Sequence, residues 1–353
     1  MLLEFSFRIR GAPREVVSAL TGVSFDVAHQ KKTVKVLIRQ ATQEESSQPP
    51  YQSVIFEAET RSVIPKNARS TLGALWNGDI PDNLVGEPIS AKRRHEHESG
   101  LLRMQFTRAQ LTPSAANFFK ATNELLVSVL ERVAGIYAWR CGLWAPPSVS
   151  RVGSSMEWSA DGQIWKIAPP NPVAYSGRLP VLTTQCTDGV GRLLANEQAR
   201  EPIAHELVRE AWGLRWDAPR SALVIAVAGL ENGVKAALAR VDSKWSDIFE
   251  REDTPSVETI LGQHLPDIVR ASAGSSELLP SEETVDEIRK VVRIRNEIVH
   301  RGQGEVELVR LERFLTSIRD VLWLCDIACG NTWALPFVSA AERSRLGHSE
   351  NSI

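Results

Sequence analysis

Residues 281–302 read SEETVDEIRKVVRIRNEIVHRG, and this stretch predicts a single helix with both of its ends marked. Ser281 is a favourable N-terminal cap, and the acidic residues that follow it suit the first turn of a helix. Gly302 is the residue type that most often ends a helix in the left-handed conformation. The stretch therefore predicts a capped helix, and the interpretation of the whole chain depends on what this helix carries.

A projection of this helix at about 100° per residue separates an apolar side from a polar stripe. The polar stripe comprises Arg289, Arg293, Asn296 and His300. The apolar side comprises Val285, Ile288, Val291, Val292, Ile298 and Val299, with Arg295 in its middle. Arg295 and His300 are thus about 140° apart on one straight helix. Either the helix is distorted near Gly302, or a second copy of the helix supplies the missing partner, which indicates a dimer.

A second stretch, residues 219–241, supplies a candidate partner for Arg295. It is apolar nearly all round and therefore predicts a central, buried helix, and its middle carries Glu231. Because a buried guanidinium needs an anion, we expect Glu231 to face Arg295, and its removal to cost about 3 kcal/mol or more. The alternative places Glu231 at a wet edge, with Arg295 reaching solvent along its methylene groups.

Composition limits the class of protein. The chain has 353 residues, is 43% hydrophobic and carries a formal net charge of −2, so any polyanion site must be a local basic patch. Four scattered cysteines are too few for a disulfide framework. We see neither a secretory leader nor an apolar run of about 18 residues. These features predict a cytoplasmic protein that does not contact membranes.

The N-terminal part predicts a sheet. Three stretches alternate apolar and polar residues with the period of a half-buried strand, at residues 3–10, 34–38 and 54–58. Residues 156–167 predict a hairpin with Asp161 and Gly162 at its turn. We therefore expect an α+β domain over residues 1–170.

The other N-terminal stretches are a helix and an irregular segment. Residues 112–139 predict a helix that covers the sheet, because Thr112 can cap it and Pro113 suits its first position. Residues 65–100 are polar and predict irregular structure. His95 and His97 in this segment could hold zinc with a third ligand, or belong to a solvated loop.

The C-terminal half predicts helices almost throughout. Residues 171–187 are rich in proline and small residues and are interpreted as a linker. Residues 188–335 form the helical domain, with a break expected at Pro202. Residues 336–353 form a polar tail that we expect to be disordered from about Ala340.

The helical half resembles HEPN domains, especially the Apea-like subgroup. The resemblance covers about residues 188–330 and rests on an apolar helix with LEN at 230–232, followed by a helix that carries Arg-x-x-x-x-His as RNEIVH at 295–300. It implies an all-helical bundle and, in many members, a metal-independent endoribonuclease that acts as a dimer whose two motifs line one cleft. Other members keep the fold without catalysis.

The resemblance assigns roles to individual residues. Arg295, Asn296 and His300 occupy the catalytic positions of the motif. Imidazole exchanges protons near neutral pH, and a guanidinium suits a crowded phosphate. The basic residues Arg289, Arg293 and Arg301 are the candidate RNA-binding residues, and Glu231 is a supporting residue. No metal or cofactor is implied, and glycine-rich phosphate loops of the GxGxxG and Walker types are absent from the sequence.

The predicted function is RNA cleavage by a homodimer, and the family suggests a prokaryotic toxin or antiviral defence setting, with a possible regulatory partner protein. The principal alternative is a non-catalytic interaction module in which Arg295 and His300 are structural. A third interpretation is a nucleotide or ligand sensor that uses the N-terminal domain.

Overall fold

The structure is a computed structural model. It describes residues 4–12, 22–40, 54–77, 79, 81, 108–142, 150–151, 156–168, 187–249, 256–264, 266, 279–302 and 304–346. The chain divides into two compact units, one comprising Met1–Tyr137 and Pro147–Arg200, the other Ala138–Pro146 and Glu201–Ile353. The first unit contains an antiparallel sheet with helices and the second is mostly helical, so the predicted order of an α+β region followed by a helical half is confirmed at this level.

The sheet of the first unit contains seven strands in the order β2-β3-β4-β1-β6-β7, with β5 also paired to β1. The strands are β1 (Glu4–Ala12), β2 (Val23–His29), β3 (Lys32–Gln40), β4 (Val54–Val63), β5 (Ser150–Arg151), β6 (Glu157–Ser159) and β7 (Lys166–Ile167). All pairs are antiparallel. The hairpin predicted around Asp161 and Gly162 is confirmed, since β6 pairs with β7 and Gly162 has a φ of 75°.

One face of the sheet carries a row of alternating charges that crosses five strands. Asp26 lies opposite Lys35, Lys35 opposite Glu59, Glu59 opposite Arg8, and Arg8 opposite Glu157. Opposite charges on directly facing residues stabilise a strand pair, whereas like charges destabilise it. The row therefore favours this strand order, and its alternation leaves no single-sign surface along it.

The other face of the sheet packs on a long helix, α2 (Pro113–Arg140). The described residues of this unit also form two shorter α-helices, α1 (Arg69–Asn77) and α3 (Thr187–Ala195). Phe7 of β1 lies against Phe119 of α2, with ring centroids 6.2 Å apart, which confirms that α2 covers the sheet. The prediction that residues 65–100 are irregular is wrong at α1. Its polar composition hid the helix, because only a few of its side chains, including Leu72 and Leu75, are buried.

Arg132 of α2 joins α3 to the sheet. Its guanidinium donates to the backbone oxygens of Ala28 (2.5 Å) and Ala199 (3.0 Å), and also to carbonyls at the end of α3. Beside it, His29 Nε2 lies 3.0 Å from Ser128 Oγ. The Ser128 hydroxyl donates to Leu125 O (2.9 Å), so it accepts from the imidazole and is not activated by it. This cluster is a structural connection.

The second unit is a helical bundle. Its helices are α4 (Ile203–Leu214), α5 (Pro219–Val241), α6 (Lys244–Phe249), α7 (Val257–Thr259), α8 (Glu282–Arg301), α9 (Leu308–Ala328) and α10 (Ala340–Arg345). The break expected at Pro202 is confirmed, since Pro202 caps α4. The boundary between the units follows residue 200, whereas the sequence placed it at 187, because α3 packs against β2.

The apolar helix α5 is the centre of this unit, as predicted. The helices α4, α6, α7, α8 and α9 all pack against it. Among the described helices it is long and apolar enough to cross a membrane, but the core helix of a bundle meets the same criterion. A Cβ added to Gly233 would lie 2.9 Å from Ala204 Cβ and would overlap the side chain of Leu322. Glycine at this position therefore allows α4 and α9 to approach α5 closely.

The predicted polar tail is wrong for its first residues. Residues 340–345 form α10, in which Glu342 is only 3% exposed. Glu342 accepts hydrogen bonds from Ser281 N (3.1 Å), Ser281 Oγ (2.5 Å) and Thr284 Oγ1 (2.5 Å), all at the start of α8. Burial acts to raise the pKa of Glu342, but these hydrogen bonds and one from Arg345 outweigh it, so the pKa is lowered. The tail therefore fastens the beginning of α8.

Several predictions fall outside the described residues. They are the linker over 171–186, the histidines His95 and His97, and the last residues of the tail from 347 onward.

Candidate functional site

The helix that carries the motif has the predicted ends. Ser281 Oγ accepts from Thr284 N (3.1 Å) at the start of α8, and Gly302 ends the helix with a φ of 63° and an N–H that donates to Ile298 O (3.1 Å). The buried side is close to the predicted one and differs from it at two apolar positions. Val299 was expected on the apolar side and is 52% exposed, whereas Ile294, which was not, is buried.

Arg295 contacts Glu231, as predicted. Its guanidinium Nη2 donates to Glu231 Oε1 and its Nη1 donates to Asn296 Oδ1 (3.0 Å). The side chains are 21% exposed for Arg295 and 34% exposed for Glu231, so the pair lies at an edge of the bundle that water reaches. The expected full burial of the pair is therefore wrong. The sequence left open a buried ion pair or a wet edge without one, and the structure has an ion pair at an edge that water reaches.

The polar stripe of α8 lines an open groove of about 620 Å³. Asn296 and His300 are both exposed in it. The lining residues are Glu258, Arg289, Lys290, Arg293, Asn296, Glu297, His300 and Arg301. The structure thus brings together Asn296, His300 and the three predicted RNA-binding arginines.

Arg295 and Glu231 do not belong to this lining. Arg295 faces α5, and the α8 helix shows no distortion near Gly302 that would turn it toward His300. Two explanations were offered for the angle of about 140° between Arg295 and His300, and the structure excludes the one that requires a distorted helix. Within one chain, the arginine and the histidine of the motif serve different surfaces.

The groove is less basic than the sequence suggests. Arg289 Nη1 lies 2.7 Å from Asp286 Oδ1, and Lys290 Nζ lies 2.7 Å from Glu287 Oε1, each pair three residues apart on α8. Such pairs on a helix surface contribute about 0.5 kcal/mol or less, so a phosphate can displace the carboxylates. For Arg293 and Arg301, the described part of the chain provides no ion pair. These two arginines are therefore the cations of the groove that carry no ion pair within that part of the chain.

The side of the groove that α8 does not supply is represented among the lining residues by Glu258 of α7. Ser256 caps α7 by accepting from Thr259 N (3.2 Å), and a π-helical turn, Ile260–His264, follows. Val257, Ile260 and Leu261 are buried in the core of the bundle. Sequence reasoning did not select Glu258. The capping serine and the apolar spacing around it were visible, but nothing local indicates that this carboxylate faces α8.

No protein-family model, no curated protein and no solved structure matches this chain. The resemblance to HEPN domains therefore rests on the motif of α8 and on the order of the helices around it.

Proposed function

We propose that the second unit is a HEPN-type endoribonuclease that cleaves RNA without a metal ion, using the 2′-hydroxyl of the substrate as nucleophile. The observation that carries the proposal is the exposed His300, which shares a cation-lined groove with Asn296 and Arg293. Among the described residues His300 has no hydrogen-bond partner, so its imidazole is available for proton transfer, and an arginine beside it can bind the phosphate at which the chemistry occurs.

The residues that line the groove have separate roles in this proposal, and Arg295 enters it only through the dimer described below. His300 exchanges a proton with the reacting oxygens. Asn296 orients the phosphate, because its amide group can donate to a phosphate oxygen. Arg293 and Arg301 neutralise the phosphate charge, with Arg289 assisting after it leaves Asp286. The groove is open, which suits a single-stranded RNA segment.

The proposal includes a homodimer, because Arg295 and His300 do not meet in one chain. A two-fold arrangement along α8 would let the Arg295 of one copy approach the His300 of the other. Two exposed apolar side chains support an interface at this place. Val299 at the end of α8 is 52% exposed and Val309 at the start of α9 is 65% exposed.

A non-catalytic interaction module is the second candidate, and the Arg295 contacts favour it. An arginine that already bonds to Glu231 and Asn296 has a structural role in the chain as it stands. In that case His300 would be one more exposed residue of a docking surface formed by α8 and α9.

A cleavage assay with labelled RNA distinguishes the two candidates. We expect His300→Ala to lower the turnover of a single-stranded RNA by about a hundredfold or more, while its melting temperature stays close to that of the wild type. Cleavage should continue in a metal chelator and leave a 2′,3′-cyclic phosphate end. Equal cleavage by both proteins, or no cleavage by the wild type, favours the interaction module.

The dimer has its own measurement. We expect light scattering at micromolar concentration to give the mass of two chains, and Val299→Glu to shift it toward one chain by placing a charge in an apolar contact. A wild type that is monomeric with and without RNA contradicts a composite site.

A further inference from the structure

The groove contains an acid that the motif does not account for. Glu258 lies on α7, the wall that α8 does not provide. Val257, which precedes it, and Ile260, two residues after it, are buried in the core, and Ser256 caps the helix. A side chain anchored in this way is held at the groove while remaining exposed itself.

Glu258 is not neutralised by the cations around it. Arg289 and Lys290 are engaged with Asp286 and Glu287 on their own helix. In the part of the chain that the structure describes, Glu258 has no ion pair and accepts no hydrogen bond. A carboxylate that projects into a cation-lined groove without pairing weakens phosphate binding. Its position is easier to explain if it acts on a different part of the substrate.

RNA cleavage by the 2′-hydroxyl requires two proton transfers. The 2′-hydroxyl loses a proton as its oxygen attacks phosphorus, and the 5′-oxygen gains one as it leaves. The attacking and leaving oxygens lie roughly in line through phosphorus. The two transferring groups must therefore approach from opposite sides, which two walls of one groove allow.

We propose that Glu258 is the proton acceptor for the 2′-hydroxyl and that His300 is the proton donor to the 5′-oxygen. The Glu258 carboxylate takes the proton of the 2′-hydroxyl while a bond forms between O2′ and phosphorus. The bond between phosphorus and O5′ breaks, and the His300 imidazolium gives its proton to O5′. The products are a 2′,3′-cyclic phosphate and a 5′-hydroxyl. This assignment rests on the proposed ribonuclease function and adds the second catalytic residue to it.

Glu297 is the rival carboxylate, since it also lines the groove. It lies on α8, three residues before His300, and so projects from the same wall. Glu258 projects from α7 instead, and can therefore approach a bound phosphate from a direction that α8 does not provide. The geometry therefore selects Glu258.

The first experiment compares three conservative variants of the full chain, Glu258→Gln, Glu297→Gln and Glu283→Gln, on a labelled single-stranded RNA of mixed sequence. We expect Glu258→Gln to lower kcat about a hundredfold while KM changes less than about threefold, because the amide keeps the shape but cannot accept the proton. The fall in rate toward acidic pH that a carboxylate base causes should disappear in this variant. Glu283→Gln, in the exposed first turn of α8 and outside the groove, is the matched control and should cleave as the wild type does.

The second experiment separates the base from the acid. A substrate with sulfur in place of the 5′-oxygen has a leaving group that needs no proton. We expect this substrate to restore cleavage by His300→Ala to within about tenfold of the wild type, and to leave Glu258→Gln as slow as before.

The outcomes are separable. A wild type that cleaves no RNA overturns the proposed function and this assignment together. A wild type that cleaves, with His300→Ala inactive and Glu258→Gln unchanged, overturns only the assignment. A larger loss in Glu297→Gln than in Glu258→Gln, or rescue of Glu258→Gln by the sulfur substrate, also overturns it.

Discussion

Replacing Glu231 by Gln tests the ion pair that holds Arg295 against α5. The substitution keeps the shape of the side chain and one acceptor oxygen, and it removes the charge. The four proteins of a double-mutant cycle are the wild type, Glu231→Gln, Arg295→Gln and the double variant. The cycle isolates the interaction between the two side chains from the other effects of each change.

The expected coupling follows from the exposure of the pair. A hydrogen bond to a charged group contributes about 1.5–3 kcal/mol where water is excluded, whereas an exposed ion pair contributes about 0.2–1 kcal/mol. With Arg295 at 21% and Glu231 at 34% exposure, the pair falls between these limits. We expect a coupling free energy of about 1–1.5 kcal/mol, well below the value of about 3 kcal/mol for a fully buried pair.

The measurement is urea denaturation followed by the helical circular dichroism signal. The four curves are fitted with one shared slope of the unfolding free energy against urea concentration. Arg289 and Asp286 provide a matched control on the same helix, since they form an ion pair whose side chains are 55% and 59% exposed. A cycle on that pair should give a coupling of at most about 0.5 kcal/mol.

Two results would refute this reasoning. A coupling between Glu231 and Arg295 below about 0.3 kcal/mol would show that the pair behaves as a fully solvated one. A coupling above about 3 kcal/mol would show that water does not reach it. A weak coupling would mean that Arg295 can leave Glu231 easily to contact a second copy, and a strong coupling would mean that it cannot.

Two further predictions concern stability. Gly233→Ala should lower the free energy of unfolding by about 1–3 kcal/mol, because the added methyl group overlaps Leu322. Gly73→Ala in α1, where nothing lies within 4 Å of the added methyl group, should raise the free energy of unfolding by about 0.5–1 kcal/mol. Denaturation curves in which both substitutions stabilise the protein would contradict the close packing of α5. Burial, together with the nearby positive charges of Arg200 and Arg132, lowers the pKa of His29 from its ordinary value of 6.5. As the pH falls below 6.5, the unfolded chain therefore binds a proton at His29 more readily than the folded chain does. Stability should therefore fall as the pH drops below about 6.5, and His29→Gln should flatten that fall; identical pH profiles would contradict it.

The capped helix at residues 281–302 shows how much the sequence can predict. Its caps, its polar stripe and the contact between Arg295 and Glu231 all follow from spacing and charge, and the structure has each of them. Spacing alone did not predict the exposure of the pair. That depends on which neighbouring elements cover each turn of α8, and near its end Val299 is exposed whereas Ile294 is buried.

Other features were missed because their causes are distant in the chain. Residues 340–345 look like a polar tail, since only Glu342 and Leu346 at its end are buried and the partners of Glu342 lie at Ser281 and Thr284. Glu258 faces the groove only because the residues around it enter the core beside α8. The spacing of apolar residues and the capping residues predict each helix or strand separately. Packing between distant parts of the chain decides which of these elements face each other.

The contact between Glu342 and the start of α8 matters for anyone who shortens the chain. A protein cut at residue 335, where the sequence suggested that the helical domain ends, would lose Glu342 and leave the Ser281 amide and two hydroxyls of α8 without this acceptor. The first turn of α8 would then fray, some 15 residues before His300. Reduced RNA binding or cleavage by such a truncated protein would then not show that the tail contacts RNA, because the loss of Glu342 also loosens the helix for which we propose that contact.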